Sequence, residues 1–446
     1  MCPASQASPQ PSTGASAPRR RARVVLVLVL LAMTGGVIFQ VAYIRFVFLR
    51  ETYEALGLSG QQYGTVVSVF GGTATIMYFL GGWFADRFSP KHLIAVALVG
   101  VGAADLYIAT TPGFVGVLLA HMLMAIMGTG LYWPALVKSI GLLADESSQG
   151  RFFGFLEGIR GATSTVVGLV GAAIVATAVV PAAGVLTLIR LYGVLCFVFA
   201  ALVWLLVREE KARLSGLESS SVSIRQLALA AQNPFTWLIG GTIAMSFSFY
   251  TTLGYFSPLL ETRFGVGLSA LAVIGVVRSY VFQFTAGPIG GIVVDRVTHS
   301  STRFLRWMFV VCTAMAGAFL LLPQRPSLVA VALLLLVILC LAVFMSRGVY
   351  WATVGELKIP AELRGGVIGL ASGIGYLPDA FLPSLCAWWI GDPAAGVPES
   401  GGGYTSLFVV LIVAGILGFV LTIATDRVAT RRLASVPRIP LTRTPL

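Results

Sequence analysis

The sequence predicts an all-α membrane protein whose twelve transmembrane helices form two pseudo-symmetric six-helix bundles. Of its 446 residues 57% are hydrophobic and only 11% are charged, and the mean hydropathy is +0.90. Soluble domains carry about 25% charged residues, so a soluble globular protein is excluded. Each bilayer crossing takes about 20 apolar residues, which leaves room for a dozen crossings but none for a large soluble domain.

Apolar, charge-free stretches locate the helices. Residues 1–23 are rich in Ser, Pro and Ala and end in a cluster of arginines, which indicates a disordered basic tail. The apolar run after the tail is too long for a signal-peptide core and lacks an early cleavage site, so we expect an uncleaved helix. The predicted helices are 24–48, 62–84, 93–111, 114–138, 153–178, 184–207, 235–258, 269–292, 304–322, 327–351, 366–390 and 404–425.

The positive charges predict the orientation. Both ends of a twelve-helix chain lie on one side of the membrane, and Lys and Arg crowd the cytoplasmic side. Most of the 30 Lys and Arg residues fall in the two tails and in the connections after even-numbered helices, whereas Arg50, Arg263 and Arg325 fall on the opposite face. We therefore expect a multi-pass protein of the cell inner membrane with both termini cytoplasmic. The net charge of +12 then reflects topology and not a nucleic-acid surface.

The chain contains an internal duplication. The segment 82–87 (GWFADR), which closes the second predicted helix, recurs as 291–296 (GIVVDR) at the end of the eighth. Two homologous bundles, 24–207 and 234–425, are therefore expected, with a cytoplasmic linker at 208–233 and a cytoplasmic tail at 426–446. Two shorter repeats support the division: Leu56 to Ser59 with Val266 to Ser269, and Tyr132-Trp133 with Tyr350-Trp351. In secondary transporters such repeats enclose a site near the bilayer midplane.

The repeated segment resembles the signature loop of the major facilitator superfamily. The residues that carry the resemblance are Gly82, Asp86, Arg87 and Lys91 in the first copy and Gly291, Asp295 and Arg296 in the second. The resemblance spans 24–427 and implies an alternating-access transporter, acting as a monomer, in which these residues form a cytoplasmic gate. The glycines would let helices approach closely, and the aspartates would cap a helix N-terminus and pair with arginine.

Two departures from the family pattern affect the gate. Ser89 stands where a glycine is usual, and Ser300 stands near the place of an expected basic residue. These departures weaken the expected lock in the second copy. The alternative is that the charged residues are only topological anchors at the membrane edge, but the recurrence of Gly and Asp at one spacing favours the gate.

Ionisable side chains inside the predicted helices are the functional candidates, because inserting one costs at least ~2.5 kcal/mol. The arginines are Arg45, Arg160, Arg278 and Arg347, and the acids are Asp105, Glu157 and Asp379. The excess of arginine leaves positive charge for a ligand. We predict that the substrate-binding residues are Arg278, Arg45, Arg160, Tyr280 and Tyr376, and that Glu157 or Asp379 carries a coupled proton.

Each arginine also has a structural interpretation. Arg278 lies nine residues beyond Ser269, about 13 Å along helix 8, where a structural ion pair is the alternative to a substrate anchor. Arg45 could snorkel to the outer interface. Its position resembles that of the helix 1 arginine in superfamily branches that carry organic anions or phosphate esters, although helix 7 lacks the second arginine common in the phosphate-ester branch. For Arg347 we expect an interfacial anchor.

The acids and the lone membrane histidine are ranked by position. Glu157 and Arg160 are three residues apart on helix 5 and are expected to pair, with Glu157 taking a proton when substrate competes for Arg160. Asp379 follows a proline in helix 11, whereas Asp105 lies in helix 3, which is peripheral in this fold, so Asp379 is favoured. His121 is expected to be a packing residue.

Catalytic and metal-binding patterns do not stand out in the sequence. The five cysteines are scattered, four of them in apolar runs, so we expect buried apolar side chains without a disulfide framework. No phosphate-cradling loop, Cys/His cluster or nucleophile elbow appears, which disfavours an enzyme, a metal site or a cofactor. A sensor is disfavoured because the longest connection is too short for a sensory domain.

The prediction for function is proton-coupled transport of a small organic anion through the lipid bilayer. The alternative is proton-driven efflux of hydrophobic or cationic compounds. Against efflux, helix 5 lacks the glycine-proline pattern that resembles proton-antiporter members, and the spare charge has the wrong sign for cations.

Overall fold

The computed structural model describes residues 17–143, 149–207, 224–357, 359–391 and 402–434. Within these ranges the regular structure consists of α-, 3₁₀- and π-helices without a strand. In the described part of the chain, ten helices are long and apolar enough to cross a membrane, and two others, helix 1 and helix 7, are interrupted by turns. The predicted all-α fold with twelve helices is confirmed.

The first bundle contains helices 1 to 6. Ser59 and Gln62 form a reciprocal capping box at the start of helix 2, and a proline opens helices 3 and 6. The segments are Ala17–Val37 and Arg45–Ala55 (helix 1), Gly60–Arg87 (helix 2), Pro90–Ile108 (helix 3), Gly113–Ala125, Ile126–Tyr132 and Trp133–Leu143 (helix 4), Gln149–Thr177 (helix 5) and Pro181–Leu206 (helix 6).

The second bundle follows a linker helix, Ile224–Gln232. Its helices are interrupted more often than those of the first bundle, by 3₁₀ turns in helices 7 and 11 and by π-helical turns in helix 8. The segments are Pro234–Thr252, Leu253–Tyr255 and Phe256–Phe264 (helix 7), Leu268–Val276, Val277–Val281, Phe282–Val293 and Val294–Thr298 (helix 8), Ser301–Leu321 (helix 9), Pro326–Leu328, Val329–Val349 and Ala352–Glu356 (helix 10), Ala361–Tyr376, Leu377–Ala380 and Leu382–Ile390 (helix 11) and Gly403–Ala434 (helix 12).

Several boundaries differ from the prediction. Helix 1 is not continuous over 24–48, because regular helix ends at Val37, just after two helix-weakening glycines, and resumes at Arg45. It starts at Ala17, since the alanines and arginines that end the predicted tail are good helix formers. Helix 12 likewise extends to Ala434. Residues 1–16, 208–223 and 435–446 of the predicted tails and linker lie outside the described residues.

The two bundles meet along two seams, helix 2 with helix 11 and helix 5 with helix 8. We call the face where helix 1 begins and helix 12 ends the inner face, and the opposite one the outer face. In the outer half both seams are closed at glycines. A Cβ atom on Gly64 would lie 2.5 Å from the Cβ of Ala387, and one on Gly168 would lie 2.6 Å from a ring carbon of Tyr280. Glycine permits this close approach of the helices.

Towards the inner face both seams part. Gly158 and Gly373 still face the rings of Phe284 and Phe79, respectively. One turn further in, a Cβ atom would meet none of the described atoms within 4 Å at four seam positions, namely Gly82, Gly154, Gly291 and Gly369. The bundles therefore separate at corresponding positions of both seams, and the structure is open to the inner face.

Leucine at Gly64 and leucine at Gly369 should have different effects on the bundles. At Gly64 the side chain collides with Ala387 in the closed seam, and because overpacking costs about 1–3 kcal/mol, the outward-open conformation should gain population. At Gly369 the side chain has space in the present conformation, so the outer face should stay closed. Spin labels at Gln61 and Thr262, both exposed near the outer face, measure this separation. Equal outer distances in the two variants would contradict the inward-open assignment.

Candidate functional site

A buried ion pair joins the two bundles near their centre. Arg45 Nη2 lies 2.7 Å from Asp379 Oδ1, and the two side chains are 4% and 8% exposed. The hydroxyl of Thr251 donates to the same carboxylate oxygen. We call Arg45, Thr251 and Asp379 the central cluster. The cluster ties helix 1 of the first bundle to helices 7 and 11 of the second.

The central cluster lies where three helices are interrupted. Arg45 is the first residue of the second segment of helix 1. Thr251 is the penultimate residue of the α-helical segment that precedes the 3₁₀ turn of helix 7, and Asp379 lies within the 3₁₀ turn of helix 11. Pro378 contributes to the last break, because it lacks an amide hydrogen for the helical ladder. Discontinuous helices near the midplane are typical of transporter binding sites.

The structure corrects the interpretation of Arg45 as a snorkelling residue. Its guanidinium is sealed inside the protein, 4.9 Å from the ring centroid of Phe46 and in contact with Asp379. The two residues were predicted to have separate roles, Arg45 in substrate binding and Asp379 in proton coupling. Their pairing means that neither is free in this conformation.

An aromatic cluster lies next to the central cluster, towards the inner face. The guanidinium of Arg347 stands 3.6 Å from the ring centroid of Tyr250. The hydroxyls of Tyr350 and Tyr376 are 3.3 Å apart, and the Tyr376 ring lies 4.9 Å from that of Tyr78 across the helix 2–helix 11 seam. Arg347 was predicted to be an interfacial anchor. The structure contradicts this prediction, because Arg347 is inserted in a cluster of rings from both bundles.

Arg347 was absent from the predicted site residues. Its Nη1 is buried without a hydrogen-bond partner, and among the described residues no carboxylate pairs with it. The signal in the sequence was its position three residues before Tyr350, on the same helical face. An arginine that stacks on rings keeps its net positive charge, so Arg347 is a candidate for binding an anion. Tyr376, which was predicted, lies beside it.

Arg160 provides a second positive group at the helix 5–helix 8 seam. It pairs with Glu157 as predicted, and the two side chains are 18% and 51% exposed. Its guanidinium lies 5.3 Å from the ring centroid of Trp133. In its favoured amide orientation, Gln283 of helix 8 accepts a hydrogen bond of 3.1 Å from the same guanidinium. Arg160 thus links helix 5 of the first bundle to helix 8 of the second through the neutral amide of Gln283. A neutral amide binds a guanidinium less strongly than a buried carboxylate does.

Arg278 and Tyr280 do not line the opening. Arg278 is 2% exposed and donates to the Phe46 carbonyl and, at 3.2 Å, to Ser257 Oγ. Tyr280 donates to Gln40 Oε1 at 2.7 Å. Both side chains are enclosed in the contact between helix 8 and helix 1. The prediction that they bind substrate is therefore not met in this conformation, because the closed outer half of the molecule covers them.

A charged cluster closes the outer face. On helix 1, Arg50 Nε lies 2.7 Å from Glu54 Oε1. Arg50 Nη1 lies 3.2 Å from Oε1 of Glu261 on helix 7, so Arg50 links the two bundles. Glu51 is partly buried beside them, and burial together with the nearby Glu261 and Glu54 raises the pKa of Glu51 to about 7. No sequence pattern predicts this contact, because the positive-charge rule places Arg50 on the outer face without indicating a partner.

The predicted cytoplasmic gate is spread out in this conformation. The Arg87 guanidinium lies over the Trp83 ring and the Lys91 ammonium over the Trp204 ring, both at 5.0 Å. Asp295 and Arg296 are exposed, and the Asp86 side chain lies outside the described residues. The role of these residues as a gate remains a prediction.

The expected close packing occurs one residue before the predicted glycines. Gly82 and Gly291 have open space, whereas a Cβ atom on Gly81 would lie 2.7 Å from Pro134 and one on Gly290 would lie 2.9 Å from the Met345 carbonyl oxygen. The reason is helical geometry, because adjacent residues point about 100° apart. Gly81 and Gly290 face helices of their own bundles, and Gly82 and Gly291 face the opened seams.

Helix ends near the inner face are capped by charged groups that the sequence did not identify. Glu356 accepts hydrogen bonds from the amides of Ser301 and Thr302 at the start of helix 9. Lys138, at the corresponding repeat position, donates to the Ala85 carbonyl near the end of helix 2 at 2.6 Å. Each charge has the sign that the helix dipole favours.

The remaining candidates lie apart from the seams. Asp105 is 1% exposed and faces Gly193 of helix 6, which agrees with its low ranking. Four cysteines are buried, as predicted: Cys196, Cys312, Cys340 and Cys386. Cys2 lies outside the described residues. Within the described part of the chain, no group of three His, Cys, Asp or Glu could hold a metal ion.

Comparisons with known proteins agree with this architecture. A family model of the Major Facilitator Superfamily matches residues 24–383. The chain is 29% identical over 373 residues to the inner membrane protein YqcE of Escherichia coli (strain K12), covering 82% of this chain and 87% of that protein. It is 37% identical over 78 residues to the probable sulfoacetate transporter SauU of Cupriavidus necator, which is 17% of each chain.

A solved structure has the same fold. The bacterial homologue of the human lysosomal transporter Spinster, in an inward-facing and unoccupied conformation, superposes with a TM-score of 0.67 at 15% sequence identity, covering 96% of this chain and 100% of that chain. The alignment extends over both bundles. The twelve-helix arrangement is therefore shared along nearly the whole length of the chain.

Removing one partner of the central ion pair should cost more stability than removing both. Asp379→Leu leaves the Arg45 guanidinium buried and unpaired, which costs about 3–5 kcal/mol. Arg45→Met combined with Asp379→Leu removes both charges and should be more stable than either single variant. Thermal unfolding in one detergent compares the variants, with Arg190→Met on peripheral helix 6 as the control. A double variant that is less stable than both single variants would contradict a desolvated, charged pair.

Acid pH should favour the closed outer face. The pKa of Glu51 is about 7 in the closed structure and about 4.3 for a solvated glutamate, so the closed state binds the proton more tightly. This stabilisation is fully present below about pH 4 and is lost as the pH rises through about 7. The outer spin-label distance should grow over that interval in the wild type. In Glu51→Gln this growth of the distance should be smaller, and a response as large as that of the wild type would contradict the assignment to Glu51.

Proposed function

The chain belongs to the Major Facilitator Superfamily, and we propose that it carries a small organic anion across the cell inner membrane together with protons. Members of this family are transporters that alternate access to a central site, and the present structure has that site open to one face. The observation that carries the anion proposal is Arg347, a partly buried arginine held by rings in place of a carboxylate. In the proposed orientation the protein is a monomer with both termini in the cytoplasm.

Arg347 supplies the first anchor for the substrate. A guanidinium offers paired N–H donors that match carboxylate, phosphate and sulfonate groups. Arg347 can bind such a group without first giving up an acidic partner, since none of the described carboxylates pairs with it. The hydroxyls of Tyr350 and Tyr376 and the ring of Phe247 lie close to Arg347, so polar and apolar groups adjoin the anchor. This mixture suits an organic anion better than a bare inorganic ion.

Arg160 supplies the second positive group and links binding to protons. A substrate anion that reaches Arg160 competes with Glu157 for the guanidinium. Once Glu157 loses that partner, the negative charge of the substrate lies beside its carboxylate, and uptake of a proton removes the repulsion between them. Substrate and proton are then bound together. Asp379 is the second proton candidate, because it loses Arg45 when the outer face opens.

The partial similarity to SauU supports the anionic class. That protein is described as a probable sulfoacetate transporter, and sulfoacetate carries a sulfonate and a carboxylate. The similarity covers only 17% of this chain, so it bears on the class of compound and not on its identity. Two arginines, one in each bundle, suit an anion with two charged groups.

A panel of compounds tests the anion proposal. A ligand at 100 times its dissociation constant stabilises by about 2.7 kcal/mol. We expect sulfoacetate or another small organic anion to raise the unfolding temperature of the purified wild type, and Arg347→Gln to lose that shift. Arg190→Gln, which changes an arginine on the periphery of the first bundle, should keep the shift.

Two outcomes would contradict the proposal in different ways. If only cations or lipophilic compounds stabilise the protein, the anion class is wrong and efflux of such compounds replaces it. If an anion stabilises the wild type and Arg347→Gln equally, the class stands and Arg347 is not the anchor. Glu157→Gln tests the coupling separately, since it should keep anion binding but remove the dependence of uptake on a pH gradient.

A further inference from the structure

Among the described residues, buried polar atoms without a partner occur on Arg45 of helix 1, on Tyr63 of helix 2 and on His121 of helix 4. Tyr63 and His121 are 1% and 2% exposed, and their ring centroids lie 6.3 Å apart. These three residues carry four of the ten buried side-chain atoms that have no hydrogen-bond partner in the described part of the structure: Arg45 Nε and Nη1, Tyr63 Oη and His121 Nε2. Arg45 is near enough to act electrostatically on both rings.

Such a concentration of unpaired groups needs an explanation. Buried polar atoms nearly always have a partner, and leaving one unmade costs about 1–3 kcal/mol. The fold itself does not demand polar side chains at these positions. At the repeat spacings of Ser59 with Ser269 and of Tyr132 with Tyr350, the second-bundle counterparts of Tyr63 and His121 are Val273 and Leu339. Leu339 is fully buried, so an apolar side chain satisfies the packing at the position equivalent to His121, whereas Val273 is exposed.

We propose that Arg45, Tyr63 and His121 bind one or two ordered water molecules, and that this hydrated pocket holds Arg45 when Asp379 moves away. His121 Nδ1 lies 2.9 Å from the Val117 carbonyl oxygen, so Nδ1 carries the hydrogen and Nε2 is an acceptor. Water can accept from the Arg45 nitrogens and donate to Nε2, and the Tyr63 hydroxyl can do either. A buried water typically has two to four such partners. An anion fits less well, because the Nε2 lone pair would face it.

The pocket has a consequence for the transport cycle. Opening the outer face separates helix 1 from helix 11 and so pulls Arg45 from Asp379. A buried guanidinium without a partner costs several kcal/mol, which would disfavour the outward-open state. Water held by Tyr63 and His121 offers Arg45 alternative hydrogen bonds within the first bundle. The inference concerns the conformational cycle and holds whatever compound is carried.

Histidine labelling tests the pocket directly. The chain has three histidines, so His92→Gln with His299→Gln leaves His121 as the sole signal in ¹⁵N-histidine solid-state NMR of the protein in lipid nanodiscs. We expect a neutral ring with hydrogen on Nδ1 and a cross-peak between Nε2 and water. Loss of the water cross-peak, or hydrogen on Nε2, would overturn the proposal. A spectrum that changes when chloride is replaced by gluconate would indicate an anion site and would also overturn it.

A second variant tests the effect on Arg45. Tyr63→Phe with His121→Leu makes the pocket apolar: the first change removes only a hydroxyl, and the second introduces the residue found at the equivalent buried position, Leu339. The fraction of molecules with the longer outer distance between labels at Gln61 and Thr262 should fall about tenfold, which corresponds to 1.4 kcal/mol. Tyr192→Phe, in peripheral helix 6, is the matched control. Equal fractions in the pocket variant and the control would show that the pocket does not support Arg45. If the pocket variant does not fold, the NMR experiment still decides whether water is bound.

Discussion

The ion pair between Arg45 and Asp379 is the interaction on which the closed outer face depends. Two charges withdrawn from water are tolerated only where each satisfies the other, so the pair holds helix 1 against helix 11 only within a narrow range of positions. The breaks in helices 1, 7 and 11 allow this placement, since each interruption redirects the chain at the cluster. Closure of the outer seams and the bends of the helices are thus parts of one arrangement.

The duplication provides a symmetric scaffold, but the chemistry is asymmetric. Both seams close at glycines and part at corresponding glycines, as expected if the halves share an origin. The charged groups have no such counterparts: by the repeat spacings, Arg45 corresponds to Tyr255, and Arg347 corresponds to Thr129. A symmetric frame can rock between two equivalent states, and charges placed on one side of each seam give the two states different affinities for ligands and protons.

Sequence reasoning reached the fold, the repeat and the Glu157–Arg160 pair because these depend on periodicity and local spacing. It failed wherever a contact joins distant segments. Arg45 and Asp379 are 334 residues apart, so nothing local could reveal that they neutralise each other, and Arg278 looked accessible because helical depth says nothing about which face a neighbour covers. Arg347 was ranked as an anchor because its ring partner, Tyr250, belongs to another helix.

Arg347 and Arg160, both partly buried, have different energetic relations to an incoming anion. Arg347 is held by a ring, and a cation–π contact is worth only about 0.5–2 kcal/mol and leaves the charge uncompensated, so an anion gains the full attraction. Arg160 is already paired with Glu157, so an anion gains only the difference between two partners, and the displaced carboxylate repels the anion unless it takes up a proton. Affinity is therefore concentrated at Arg347 and proton linkage at Arg160. A site with two unpaired arginines would bind an anion more tightly, but binding of the anion would then not promote the uptake of a proton.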